Sequence, residues 1–105
     1  MKNSLLLLFL LAVVPVLAQT TRDRETILAL LDRQTKAWNA GDIPGFMRGY
    51  WESDSLLYIG KSGVRKGYQT TLDSYRKNYP DRAAMGTLTF SILKVDFPAK
   101  DVAFV

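Results

Sequence analysis

The side chains that could do chemistry in this chain are aromatic rings, hydroxyls and amides, because its 105 residues include no histidine and no cysteine. Nucleophilic triads built on histidine or cysteine are therefore excluded, and so are zinc sites of the usual ligand types. No metal ion is predicted, and no cofactor is assigned. What the sequence offers instead is a set of aromatic residues and one amide at helix and strand positions: Gln34, Trp38, Tyr50, Trp51, Tyr58 and Tyr75.

Other patterns that carry chemistry are weak. Gly60-Lys61-Ser62 resembles the end of a phosphate-binding loop, but the glycine required earlier in that motif is Ser55, and a hairpin rather than a helix is predicted around it. The basic residues are scattered over a chain of formal net charge +4, so no nucleic-acid interface is predicted. Four carboxylates are expected on polar faces of helices or in a turn, where they stay in contact with solvent and are not tuned for proton transfer: Asp32, Glu52, Asp54 and Asp73.

Three helices are predicted to position the aromatic residues. Apolar side chains recur at helical spacing within a first helix over about residues 23–40. Gly41 stands where a left-handed residue ends a helix, and Asp42 stands where the next helix needs a capping oxygen. Gly67 leads into a third helix, which Pro80 ends.

The strands follow the helices. Residues 56–59 and the segment beginning at Val64 predict a hairpin. Residues 87–97 are predicted to form the longest strand, with a phase change in its apolar pattern that indicates a β-bulge, and residues 101–105 a last strand. This order predicts an α+β fold in which three N-terminal helices pack on a curved antiparallel sheet.

The first strand carries apolar side chains on both faces. Leu56 and Tyr58 share one face, and Leu57 and Ile59 share the other. Helices can cover only one face of a sheet, so the second face needs another cover. Either a partner subunit or a loop of the same chain could supply it.

The two ends of the sequence carry further expectations. Residues 1–18 are typical of a secretory signal peptide, with Lys2, an apolar core and a small-residue cleavage site at Ala18. The apolar run is shorter than the roughly 20 residues of a spanning helix. We therefore expect cleavage before Gln19 and a secreted or periplasmic protein with no membrane contact, rather than an anchored one. The last strand stops without a breaker, so we expect the domain of residues 19–105 to be truncated at its C-terminus and its sheet to be incomplete.

Several segments in order carry a family resemblance: residues 38–42, the pair Tyr50-Trp51, Gly67, and residues 75–80 and 85–90. Together they make residues 27–105 similar to the nuclear transport factor 2-like superfamily, in its bacterial secreted branch related to ketosteroid isomerase and SnoaL-type polyketide cyclases. The resemblance implies a cone-like fold and a sheet-to-sheet homodimer in the full-length protein. In a match on residues 39–42, ketosteroid isomerase has its oxyanion-binding tyrosine where this chain has Gln34. Its general-base aspartate falls at Tyr58, so neither catalytic role is carried over.

Three hypotheses about function remain open. The six residues named first would converge between helices and sheet as a pocket for a small apolar or aromatic ligand, although aromatic residues at helical spacing also build ordinary cores. The leading hypothesis is a secreted small-molecule-binding domain. A second is an isomerase, cyclase or dehydratase in which Tyr58 and Gln34 polarise the carbonyl of a small hydrophobic substrate. A third is an association module whose cavity is filled by its own side chains.

Overall fold

The structure is a computed structural model that describes the backbone of residues 2–105 and the side chains of residues 16–105. The helices are α1 Lys2–Asn39, α2 Ile43–Met47, α3 Tyr68–Asn78 and α4 Arg82–Met85. The strands are β1 Leu57–Gly60, β2 Gly63–Lys66, β3 Asp96–Ala99 and β4 Val102–Phe104. The fold is α+β, as predicted, although its strands are short and α4 was not expected.

The chain contains two compact units. Leu30–Phe90 forms the central unit, and the residues up to Ala29 together with Ser91–Val105 form the terminal unit. The central unit contains the C-terminal part of α1, the helices α2 to α4 and the β1–β2 hairpin, so it holds nearly all the residues singled out above.

The junction between α1 and α2 has the predicted chemistry. Gly41 has a φ of +78°, in the left-handed region that glycine adopts without strain. The Oδ1 atom of Asp42 accepts a hydrogen bond of 2.9 Å from the backbone N–H of Gly45 and so caps α2. Pro44 lies in the first turn of α2, where its missing N–H costs nothing.

Trp38 is at the centre of the core of the central unit. Its ring packs edge-on against Phe46 at 5.0 Å between centroids, and its Nε1 donates a hydrogen bond of 3.0 Å to the carbonyl of Met85. The neighbouring Asn39 side chain both donates to the carbonyl of Leu88 and accepts from its N–H, at 3.0 and 2.8 Å. These bonds attach the segment after α4 to the end of α1. The buried apolar residues of this core are Trp38, Ile43, Phe46, Met47, Leu72 and Met85.

The β1–β2 hairpin is antiparallel and leaves one face open. Its register places Tyr58 opposite Arg65 and Ile59 opposite Val64. The side chains of Leu57, Ile59 and Val64 are 60%, 75% and 65% exposed. No loop in the described part of the chain covers this face, so the alternative of packing under a loop is not observed.

The terminal unit differs from the sequence prediction in its strands. Only Asp96–Ala99 and Val102–Phe104 pair, with a register irregularity between Asp96 and Ala99, and residues 87–95 have no regular secondary structure. A strand needs a neighbour to satisfy its backbone groups, and no described strand pairs with residues 87–95. The prediction of one long strand over residues 87–97 was therefore wrong, and the sheet consists of two separate two-stranded pieces.

The first helix also differs from its prediction. It begins at Lys2 rather than near Asp23, because the hydroxyls of Thr20 and Thr21 bond to carbonyls four residues earlier instead of capping a helix start. Most side chains of the predicted signal peptide, residues 1–18, lie outside the described residues. Within the described part of the chain, no helix has both the length and the apolar character needed to cross a membrane.

Candidate functional site

Three tyrosines from different elements meet in the central unit. Tyr50 follows α2, Tyr58 lies on β1 and Tyr75 on α3. The hydroxyls of Tyr50 and Tyr75 are 3.2 Å apart and share a hydrogen bond. The rings of Tyr58 and Tyr75 pack edge to face at 5.9 Å between centroids, and those of Tyr50 and Tyr58 are 6.4 Å apart. This aromatic cluster joins the hairpin to the helical core.

Burial holds two of these phenols in their neutral form. It raises the pKa of Tyr75 above the ordinary value of 10.0, and the hydrogen bond to Tyr50 raises it further. Burial likewise raises the pKa of Tyr50, although the bond to Tyr75 partly offsets this increase. Both hydroxyls are therefore protonated at neutral pH and serve as hydrogen-bonding groups rather than as bases.

A cavity of about 340 Å³ lies between the β1–β2 hairpin and α3. We call it the hairpin cavity. Its walls combine three tyrosines with polar and cationic side chains: Tyr58, Lys61, Ser62, Arg65, Thr71, Ser74, Tyr75, Asn78 and Tyr79. Its volume lies at the lower end of the range of ligand sites, about 300–1,000 Å³.

The predicted aromatic residues divide between the hairpin cavity and the structure behind it. Tyr58 and Tyr75 line the cavity. Tyr50 is not in the lining and contacts Tyr75 from behind, while Trp38 is buried in the core. Trp51 is 64% exposed and lies outside the cavity. The structure therefore joins Tyr50, Tyr58 and Tyr75 but brings only two of them to the cavity surface.

Gln34 occupies a different place. It is 8% exposed, and its Nε2 donates a hydrogen bond of 3.3 Å to the carbonyl of Phe46. It lines a separate cavity of about 250 Å³ together with Asp42 and Gly49. Gln34 and Tyr58 thus line two different cavities of the described chain, and neither of these cavities contains both residues.

Several residues of the hairpin cavity were not identified from the sequence. Lys61 and Arg65 come from the hairpin, and Ser74 and Asn78 from successive turns of α3. The two-residue turn between Gly60 and Gly63 could have identified Arg65. Such a turn fixes the pairing of the strands, and counting back from it places Arg65 opposite Tyr58.

The side chains of the hairpin cavity can contribute several kinds of binding interaction. Aromatic ring faces, neutral hydroxyls and two cationic groups can orient a small molecule. The described lining contains no aspartate, glutamate or histidine. The four carboxylates predicted to contact solvent are all exposed: Asp32, Glu52, Asp54 and Asp73.

Comparison with known proteins identifies a solved structure with a similar fold. No protein-family model matches the sequence, and no curated protein matches it. Among solved structures, the chain is similar to an NTF-2-like protein of unknown function from Shewanella oneidensis MR-1, with 38% sequence identity and a TM-score of 0.69. The similarity covers 73% of this chain and 64% of that protein, so the chain spans less than two thirds of its relative's length. This identity and this fold similarity confirm the resemblance of the chain to the nuclear transport factor 2-like superfamily.

Proposed function

We propose that this chain binds a small molecule with an aromatic or planar part in the hairpin cavity. The observation that carries the proposal is the wall that Tyr58 and Tyr75 form, with their rings packed edge to face beside one space of about 340 Å³. Aromatic rings give a ligand a large contact area, and their hydroxyls supply direction. Most of the ligand's contact is with the aromatic rings, and the polar side chains of the hairpin contribute the remainder.

The proposal favours binding over catalysis because the described lining of the cavity contains no carboxylate or imidazole that could act as a base. Burial raises the pKa of Tyr75 and keeps its phenol protonated. Gln34, the other residue of the enzyme hypothesis, bonds to the carbonyl of Phe46 and lines a separate cavity. An isomerase or cyclase of the related type would need a base that the described lining does not contain.

The test is ligand binding to the full chain and to a conservative variant. Phenol, indole and 2-naphthol serve as probes, with binding followed by ligand-observed NMR. Tyr58→Phe keeps the ring and removes one hydroxyl, so we expect weaker binding of phenol by about 2- to 10-fold, as for the loss of one hydrogen bond. Tyr68→Phe is the matched control, because Tyr68 is also a half-buried tyrosine but lies outside the cavity lining. No binding of any probe, or equal losses in both variants, would refute the proposal.

A second candidate function, self-association, is favoured by the open face of the hairpin. Leu57, Ile59 and Val64 form an exposed apolar strip on one side of β1 and β2. Exposed strips of this kind mark interfaces, and closed symmetry lets a second copy cover the same patch on its partner. We propose a homodimer through this face. Ile59→Lys should turn a dimer into a monomer in light scattering, whereas a monomeric unmodified chain would contradict the idea.

Export is the remaining part of the proposal. The leader-like residues 1–18 support secretion or release to a periplasm, and the sequence predicts cleavage after Ala18. Cleavage there would divide α1 and make Gln19 the first residue. Mass spectrometry of protein recovered from a bacterial periplasm should give the mass of residues 19–105. Recovery of the uncleaved chain from the cytoplasm would contradict the proposal.

A further inference from the structure

Two cations without acidic partners set the hairpin cavity apart from a purely aromatic pocket. Lys61 lies in the turn of the hairpin, and Arg65 is half-buried on β2. Within residues 16–105, whose side chains are described, the ion pairs involve other lysines, so neither Lys61 nor Arg65 has a carboxylate partner. The site therefore holds two positive charges that nothing in its own wall neutralises.

The rest of the wall adds hydrogen-bond donors and no negative charge. The hydroxyl of Ser74 accepts a bond of 3.3 Å from the Nδ2 of Asn78, so its own proton is free to point elsewhere. The phenol of Tyr75 stays protonated because burial raises its pKa, so it adds no negative charge, and its hydroxyl is already hydrogen-bonded to Tyr50. No aspartate or glutamate belongs to the described lining. Donors and cations on one wall, without acceptor charges, complement an oxyanion.

We propose, building on the binding function above, that the ligand of the hairpin cavity carries an anionic oxygen group that Lys61 and Arg65 bind. A carboxylate and a phosphate share this chemistry. The guanidinium of Arg65 can hold two oxygens of such a group at once, and the ammonium of Lys61 adds a mobile charge at the turn. The remainder of the ligand packs on the rings of Tyr58 and Tyr75. The ligand is thus an amphipathic organic acid rather than an apolar molecule.

The first experiment compares charged and neutral probes on the unmodified full chain. The probes are 4-hydroxybenzoate, its methyl ester and phenyl phosphate, with affinities from isothermal titration calorimetry at low and high salt. We expect 4-hydroxybenzoate to bind at least 10-fold more tightly than its ester. Added salt should weaken the binding of 4-hydroxybenzoate and leave the affinity for its ester unchanged, because salt screens charges that are not fully buried. The ratio of the affinities for 4-hydroxybenzoate and phenyl phosphate distinguishes a carboxylate ligand from a phosphate ligand.

The second experiment removes the charges from the wall. The double variant Lys61→Gln/Arg65→Gln loses two positive charges in the cavity. The control double variant Lys66→Gln/Lys77→Gln loses the same charge from exposed positions outside the lining. We expect at least a 10-fold loss of 4-hydroxybenzoate affinity in the first and less than a 2-fold change in the second. If the first variant fails to fold by circular dichroism, the ester and salt comparisons on the unmodified chain decide the question.

The outcomes separate this inference from the function on which it rests. If 4-hydroxybenzoate and its ester bound with equal affinity, and Tyr58→Phe weakened the binding of both, the charge inference would be overturned and small-molecule binding would stand. Equal losses in the two double variants would also overturn it, because the effect would then come from net charge alone. Absence of binding by all three probes would overturn the charge inference, and absence of binding by phenol, indole and 2-naphthol as well would overturn both proposals.

Discussion

The ring of Tyr75 is expected to contribute more to stability than its hydroxyl. The hydroxyl makes one bond of 3.2 Å, to Tyr50, and such a bond contributes about 1 kcal/mol net. The ring packs against Trp38, Phe46 and Tyr58 at centroid distances of 5.7, 5.4 and 5.9 Å. Removing a fully buried aromatic ring costs about 3–5 kcal/mol, and a half-buried ring correspondingly less, about 2–3 kcal/mol.

Two substitutions separate these contributions. Tyr75→Phe should lower the free energy of unfolding by about 1 kcal/mol. Tyr75→Ala should lower it by about 2–3 kcal/mol. Urea denaturation followed by tryptophan fluorescence measures both, and Arg76→Ala, an exposed neighbour on the same helix, should stay within about 0.5 kcal/mol of the unmodified chain. If Tyr75→Ala were no more destabilising than Tyr75→Phe, the ring would contribute nothing, and the packing of the aromatic cluster described here would be wrong.

Three further perturbations test other contacts of the central unit. Asn39→Ala removes two hydrogen bonds to one backbone residue and should cost about 1–3 kcal/mol in urea denaturation, whereas a neutral result would contradict that attachment. Gly49→Ala places a methyl group against the side chain of Gln34 and should cost about 1–3 kcal/mol by overpacking; unchanged stability would show that Gln34 is free to move. Folding raises the pKa values of Tyr50 and Tyr75, so their contribution to stability is complete below about pH 10 and is lost as the pH rises further. An ultraviolet titration should therefore show these two phenols ionising only with alkaline unfolding, and early ionisation of all the tyrosines would refute their burial.

Local sequence chemistry was sufficient for the end of α1 and for α2 and α3, although it did not predict α4. The glycine and aspartate at positions 41 and 42 ended one helix and began the next, because a left-handed residue and a capping oxygen act within a few residues. Gly67, with a φ of +100°, likewise preceded α3 as predicted. The strands after α4 were predicted less well. The alternation of apolar residues over residues 87–97 is compatible with a strand. Whether a strand forms also depends on a neighbouring strand to pair with, and the local pattern carries no information about that neighbour.

The candidate site divides in the same way. Residue types alone excluded histidine and cysteine chemistry and identified the aromatic residues, because these conclusions need no geometry. The grouping required the tertiary structure: Tyr58 and Tyr75 reach one cavity, whereas Gln34 bonds to a backbone carbonyl elsewhere and Trp51 stays exposed. The cationic wall also became visible only when the hairpin was set against α3. Spacing along a chain specifies which side chains share a face of one element, but packing between elements decides which faces meet.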